Sequence, residues 1–123
     1  MISDQLRNEV LDWIDNDPDA KTANQLTQWL KEENETELER CFAGFLQFGT
    51  AGLRGPMGPG PSCMNRAVVS RTATGILAFM KKNNLSSVVI GRDARYGSEQ
   101  FAKDSAEIFA GGGIKTYLLP REL

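Results

Sequence analysis

Residues 87–119 run from SVVI through an amphipathic stretch to GGG and IKTYLL, and that order restricts the fold more than any other feature of the chain. SVVI (87–90) is a short apolar run between polar flanks, the pattern of a buried parallel strand. Ser98 stands where an N-cap is needed for a helix carrying Phe101, Ala102, Ser105, Ile108 and Phe109. GGG (111–113) ends that helix, IKTYLL (114–119) forms the next strand, and Pro120 stops it. Strand, helix, strand is a βαβ unit, expected to cross over right-handedly. Ligands of such sheets sit outside the carboxyl ends of the strands, which puts GRDAR (91–95) at the functional edge.

The beginning of the chain follows helical periodicity. Leu6, Val10, Trp13 and Ile14 form a stripe behind a possible N-cap, Ser3. Asp17 is expected to cap a second helix with Pro18 at its first position, and Leu26, Trp29 and Leu30 line its face. TELE (36–39) has the capping-box pattern and opens a short helix bearing Leu38, Cys41 and Phe42. Both tryptophans read as core contacts. Further on, residues 66–82 return to helix, with Val68, Val69, Thr72, Ile76, Phe79 and Met80 at helical spacing. The expected fold is therefore α/β: a three-layer α/β/α domain over residues 44–123 with a small mixed, mostly parallel sheet, preceded by a helical arm over residues 1–43.

Between these parts lies a turn-rich stretch, FLQFGTAGLRGPMGPGPS, with five glycines and three prolines from Gly49 to Pro61. Grouped glycines mark a tight turn, a close backbone approach, or both. One reading is a hairpin with a solvated Arg54. The other is an anion site, in which the Arg54 guanidinium offers a rigid fork of donors and Gly52 and Gly55 let backbone N–H groups reach the same oxygens. Arg92 and Arg95, with Asp93 between them, are candidates for the same anion, or else a structural Asp–Arg bridge beside an ordinary turn. The segment is neither a P-loop nor a dinucleotide fingerprint. GLRG (52–55) fits the GXXG loop of KH domains, but the chain lacks the basic and aromatic interleaving of an RNA binder.

Charge and composition narrow the chemistry. Residues 1–40 carry a net charge of −7 and the rest +5, a split too mild to point to nucleic acid. No apolar run is long enough for a membrane span. Cys41 and Cys63 have no CxxC spacing and read as reduced, buried thiols of a cytosolic protein. Histidine is absent, which excludes histidine acid–base catalysis and the usual histidine metal sites.

FGTAGLRG (48–55), MGPG (57–60), MN (64–65), TATG (72–75), IGRDAR (90–95) and FAKDSAEIFAGGGIKTYLLP (101–120) follow in an order that closely resembles the N-terminal part of the α-D-phosphohexomutases, in the phosphoglucomutase/phosphomannomutase branch that includes phosphopentomutases. The resemblance extends through the lead-in ELERCFAGFLQ (37–47) and so covers most of the chain. It implies a four-domain enzyme that interconverts sugar 1-phosphates and 6-phosphates through a phosphoserine and a bisphosphorylated sugar, with Mg²⁺ on the phosphoserine and a sugar bisphosphate as activator. It also implies that Thr50 and Arg54 lie on the active-site floor, supported by Asp93 and Arg95, with Gly52 and Gly55 in the phosphate-binding loop.

The departures matter equally. A chain without histidine cannot hold the family's Thr-Ala-Ser-His-Asn-Pro serine loop, and the Asp-Gly-Asp-Gly-Asp metal loop is missing too. The expectation is an N-terminal piece of a longer mutase, an incomplete first domain, inactive alone and without metal ligands of its own. The alternative is a free-standing anion-binding or regulatory module on the same fold. Sequencing the gene beyond Leu123 separates the two: an in-frame serine loop favours the enzyme, a stop codon the module. If the strand leading to the serine loop is absent, an exposed sheet edge is expected to drive self-association.

Overall fold

The computed structural model describes residues 2–46, 48–49, 52–92 and 97–120, in two compact units, Met1–Val68 and Val69–Leu123. In the first unit, Ser3 caps α1 (Asp4–Asn16), its hydroxyl accepting from the Leu6 N–H at 3.1 Å. α2 (Ala20–Lys31) is capped by Asp19, whose carboxylate accepts from the Lys21 N–H. The expected cap, Asp17, instead accepts from the Asp19 N–H at 2.9 Å and the Thr22 hydroxyl at 2.6 Å, so Pro18 lies outside the helix. Several aspartates compete in this turn, and the one that braces it from outside leaves the cap to its neighbour.

α3 (Glu35–Cys41) likewise starts earlier than the Thr36–Glu39 pattern suggests. Asn34 caps it by accepting from the Glu37 N–H. The reason lies upstream: Glu33 turns the chain at φ 52°, and the Asn34 N–H donates to the Trp29 carbonyl at 2.9 Å. One turn thus closes α2 and opens α3. The apolar stripes of the three helices meet in a cluster of Ile2, Val10, Leu26, Leu30 and Leu38. Trp13 and Trp29 pack against it, Trp13 edge-on to Phe42 at 6.0 Å between ring centroids. Both tryptophans are core contacts, as the periodicity suggests.

Two short antiparallel strands follow, β1 (Phe48–Gly49) and β2 (Gly52–Leu53), with Phe48 opposite Leu53 and Gly49 opposite Gly52. α4 (Arg66–Lys82) then leads into the second unit. There β3 (Ser87–Ile90) and β4 (Lys115–Leu118) pair in parallel, Val88 beside Thr116 and Ile90 beside Leu118, with α5 (Ser98–Gly111) between them in sequence. This is the βαβ unit expected from the sequence, and with the helical arm it makes a small α/β protein. Ala73, Met80, Phe109 and Ile114 form its core, with Leu77, Val88, Ile90 and Ile108 packed around them.

Three expectations for this unit need correction. β3 is not buried on both faces: Val88 and Ile90 pack inward while Val89 is 65% exposed. A four-residue apolar run has the same appearance whether one face or two is covered, and the described helices pack on one. On α4 the inward positions are Ala73, Leu77 and Met80, and Ile76 and Phe79 face outward, Phe79 at 60% exposure. Ser98 is the first residue of α5, not its cap. That position belongs to Gly97, whose φ of 91° swings the chain into the helix with no side-chain cap bond.

This assignment of faces is testable. Met80→Ala should destabilise the protein by about 3 kcal/mol through lost burial and the cavity left behind. Phe79→Ala should change stability by less than about 0.5 kcal/mol. Urea denaturation of the two variants measures both, and the reverse order would refute the assignment.

Candidate functional site

The segment from Gly44 to Asn65 is a hairpin followed by a loop knitted from backbone hydrogen bonds. Its prolines remove N–H donors, so the remaining groups must satisfy its carbonyls. The Leu46 N–H donates to the Pro61 carbonyl at 3.1 Å, and the Met64 N–H to the Pro56 carbonyl at 2.8 Å. The Ser62 hydroxyl donates to the Gly44 carbonyl at 2.7 Å, and the Ser62 N–H to the Cys41 carbonyl at 3.0 Å.

Asn65 holds this loop together from inside. It is 4% exposed, and its amide nitrogen donates to the Gly60 carbonyl at 2.7 Å and the Gly58 carbonyl at 2.9 Å. Its side-chain oxygen accepts from the Val68 N–H at 2.9 Å, capping α4. Gly60 beneath it has φ 88°, and a Cβ there would stand 2.7 Å from the Cys41 carbonyl oxygen. Only glycine fits. The sequence reading passed over Asn65 as a working residue, although an asparagine directly before an amphipathic helix is a cap signal.

Arg54 leaves this hairpin directly after β2 and is exposed to solvent. The hairpin of the simpler reading is therefore present, and its last strand delivers the arginine to the surface. Gly55 next to it has a local reason to be glycine: a Cβ there would approach the Leu46 side chain to 2.7 Å. Gly52 pairs with Gly49 across the hairpin. Thr50 lies outside the described residues.

A second feature belongs to the βαβ unit alone. A cleft of about 290 Å³ opens where β3 ends and α5 begins, lined by Ile90, Gly91, Arg92, Ser98, Phe101 and Ser105. It occupies the place at a strand's carboxyl end where α/β sheets bind ligands. A basic side chain, two hydroxyls and the N-terminus of α5 are groups of the kind that bind an oxyanion. Ser98 and Ser105 escaped the sequence reading as lining residues, because their contribution depends on α5 lying against the end of β3. Asp93 and Arg95 fall outside the described residues. Among those described, no three His, Cys, Asp or Glu side chains gather to hold a metal ion, and no helix is long and apolar enough to cross a membrane.

The first unit holds a helical arm and a glycine hairpin followed by an exposed arginine, and the second a βαβ unit with a polar cleft at its strand end; together these elements make an α/β protein. The chain belongs to the phosphoglucomutase/phosphomannomutase family: residues 46–122 match the model of that family's alpha/beta/alpha domain I. Over 93% of its length it is 34% identical to a phosphopentomutase of Homo sapiens, covering 20% of that protein. It is 34% identical to a phosphoribomutase of Saccharomyces cerevisiae over 96% of its length, covering 19% of that relative. A phosphoglucomutase of Staphylococcus haemolyticus is 41% identical over 70% of the chain, which covers 16% of the bacterial protein. The chain thus spans about a fifth of the length of curated relatives that it matches. No solved structure gives a significant match.

The role of Asn65 makes a specific prediction. Asn65→Ala should cost about 3 kcal/mol, since it removes a helix cap and leaves buried carbonyls without donors. Asn65→Asp keeps the capping oxygen but loses the amide donors, and should be destabilised comparably. Thermal melts of both variants provide the measurement. An Asp variant as stable as the parent would mean that the cap alone matters.

Proposed function

We propose that this chain supplies the first domain's share of the phosphate-handling surface of a sugar-phosphate mutase. The observation that carries the reading is Arg54, held exposed at the exit of a braced glycine hairpin inside the segment that matches the mutase domain. A phosphoryl group in transfer is stabilised chiefly by positioning and positive charge. An arginine with a fixed backbone meets both needs: its fork binds two oxygens of one phosphate, and the braced loop limits the entropy lost when it does so. In this reading Thr50, Gly52 and Gly55 belong to the phosphate-binding loop with Arg54, and Asp93 and Arg95 are further candidates of the same motif set.

The parent reaction is the interconversion of sugar 1-phosphate and 6-phosphate through a phosphoserine and a sugar bisphosphate. Relatives named phosphoglucomutase, phosphopentomutase and phosphoribomutase support a sugar phosphate as substrate; a pentose has no sixth carbon, so the 6-phosphate applies to a hexose substrate. Magnesium would supply positive charge at the phosphoserine, but neither the serine loop nor the aspartate-rich metal loop occurs in this sequence. We infer that the chain by itself is inactive and acts in the cytoplasm as part of a longer enzyme.

Two measurements test this. The purified chain should not convert glucose 1-phosphate to glucose 6-phosphate, even with Mg²⁺ and a sugar bisphosphate; turnover that persists after removal of host mutase would overturn the inference. In a full-length protein containing this domain, Arg54→Ala should lower kcat roughly a hundredfold or more, with Tm nearly unchanged. A lowered Tm with near-normal turnover would return Arg54 to the role of a solvated hairpin residue.

A further inference from the structure

Cys41 ends α3, and Cys63 lies in the loop before α4. Both are free thiols and both are buried, at 0% and 1% exposure. The loop that carries Cys63 is tied to Cys41: the neighbouring Ser62 N–H donates to the Cys41 carbonyl at 3.0 Å, the Cys63 N–H donates to the Gly60 carbonyl at 3.3 Å, and Gly60 approaches so closely that a Cβ on it would lie 3.1 Å from the Cys41 Cβ. Cys63 is close enough to be one of the groups that shift the Cys41 thiol. Neither cysteine has a place in the phosphate-handling reading.

We propose that Cys41 and Cys63 are a latent disulfide, a reversible covalent clasp between the end of α3 and the loop held by Asn65, closed by a low-molecular-weight disulfide. The chemistry balances. One cysteine thiolate attacks the oxidant's S–S bond, forming a mixed disulfide and releasing one small thiolate, which takes up the proton lost by the protein. The second cysteine thiolate attacks the protein-bound sulfur of the mixed disulfide and releases the other small thiolate, which is protonated likewise. Two protein thiols are oxidised, and the oxidant is reduced to two thiols.

The surroundings decide when this happens. Burial, followed by the proximity of Cys63, pushes the Cys41 thiol up to about 12, with Arg40 opposing the shift and Glu37 adding to it. The thiolate is therefore scarce at neutral pH, and a small oxidant reaches it only when the loop opens. The clasp stays reduced under ordinary conditions and closes slowly under sustained oxidation. Once closed, it restrains a loop of roughly twenty residues in the unfolded chain, which favours the folded state.

The test uses the reduced protein incubated with oxidised glutathione, quenched by alkylation in denaturant and examined by intact mass and non-reducing peptide mapping. The expected product is lighter than the reduced protein by two hydrogens, carries no glutathione and no alkyl group, and yields one peptide pair joined through Cys41 and Cys63. Its Tm should rise by roughly 10 °C, and dithiothreitol should reverse both changes. Cys41→Ala and Cys63→Ala should each show no such rise under the same oxidation. The peptide map of the parent protein decides the matter even if either variant folds poorly. Two alkylated cysteines after oxidation, two bound glutathiones, a cross-link between chains, or a 41–63 bond that lowers Tm would each overturn the proposal.

Discussion

The hydrogen bonds of the Asn65 side chain are the constraint on which the described hairpin and loop depend. Pro56, Pro59 and Pro61 deprive this stretch of backbone donors, so neither a helix nor a ladder can satisfy its carbonyls. One buried amide answers for two of them and caps the following helix with its remaining oxygen. A buried carbonyl without a donor costs about as much as a hydrogen bond contributes, so the loop is ordered because Asn65 is inside it. That loop also carries Cys63 and is joined to the end of α3 by the Ser62 N–H, which donates to the Cys41 carbonyl.

The βαβ unit works on a different principle. Its cleft arises because a parallel pair of strands needs a crossover, and the crossover helix starts where the first strand stops. Ile90 and Gly91 end the strand, Gly97 turns the chain, and Ser98 and Phe101 come back over the gap. Its polarity depends on what stands at those few positions. In this chain these include Arg92, Ser98 and Ser105, a set suited to anions.

Much of the architecture was legible in advance. The helix over 66–82, the strand over 87–90 and the parallel βαβ order are where periodicity and glycine punctuation put them. The caps were less legible. Asp17 and Asp19, or Asn34 and Thr36, are equally good caps in isolation, and the choice was made by where the preceding helix ended and which side chain braced the turn. The burial pattern of α4 is only partly legible for a related reason. Of Val68, Val69, Thr72, Ile76, Phe79 and Met80, all at helical spacing, Val68 and Met80 are buried while Ile76 and Phe79 are exposed, and only the neighbours distinguish them. In the candidate site, Arg54 and the glycine hairpin could be read from residue type. Asn65 could not be weighted properly, because its partners are carbonyls that any residue carries.

The sequence by itself determined where helices and strands form, that the chain is α/β with a helical arm, that these residues bring no histidine of their own, and, through a string of ordered motifs, to which family the domain belongs. These follow from local preferences and residue identity, which need no knowledge of distant contacts. Tertiary structure alone decided which face of β3 and α4 is covered, which asparagine clamps the proline-rich loop, and that the loop carrying one buried cysteine is bonded to the helix end carrying the other. Each of those depends on residues brought together by packing, and a pattern of short-range spacings carries no record of what arrives from the other side.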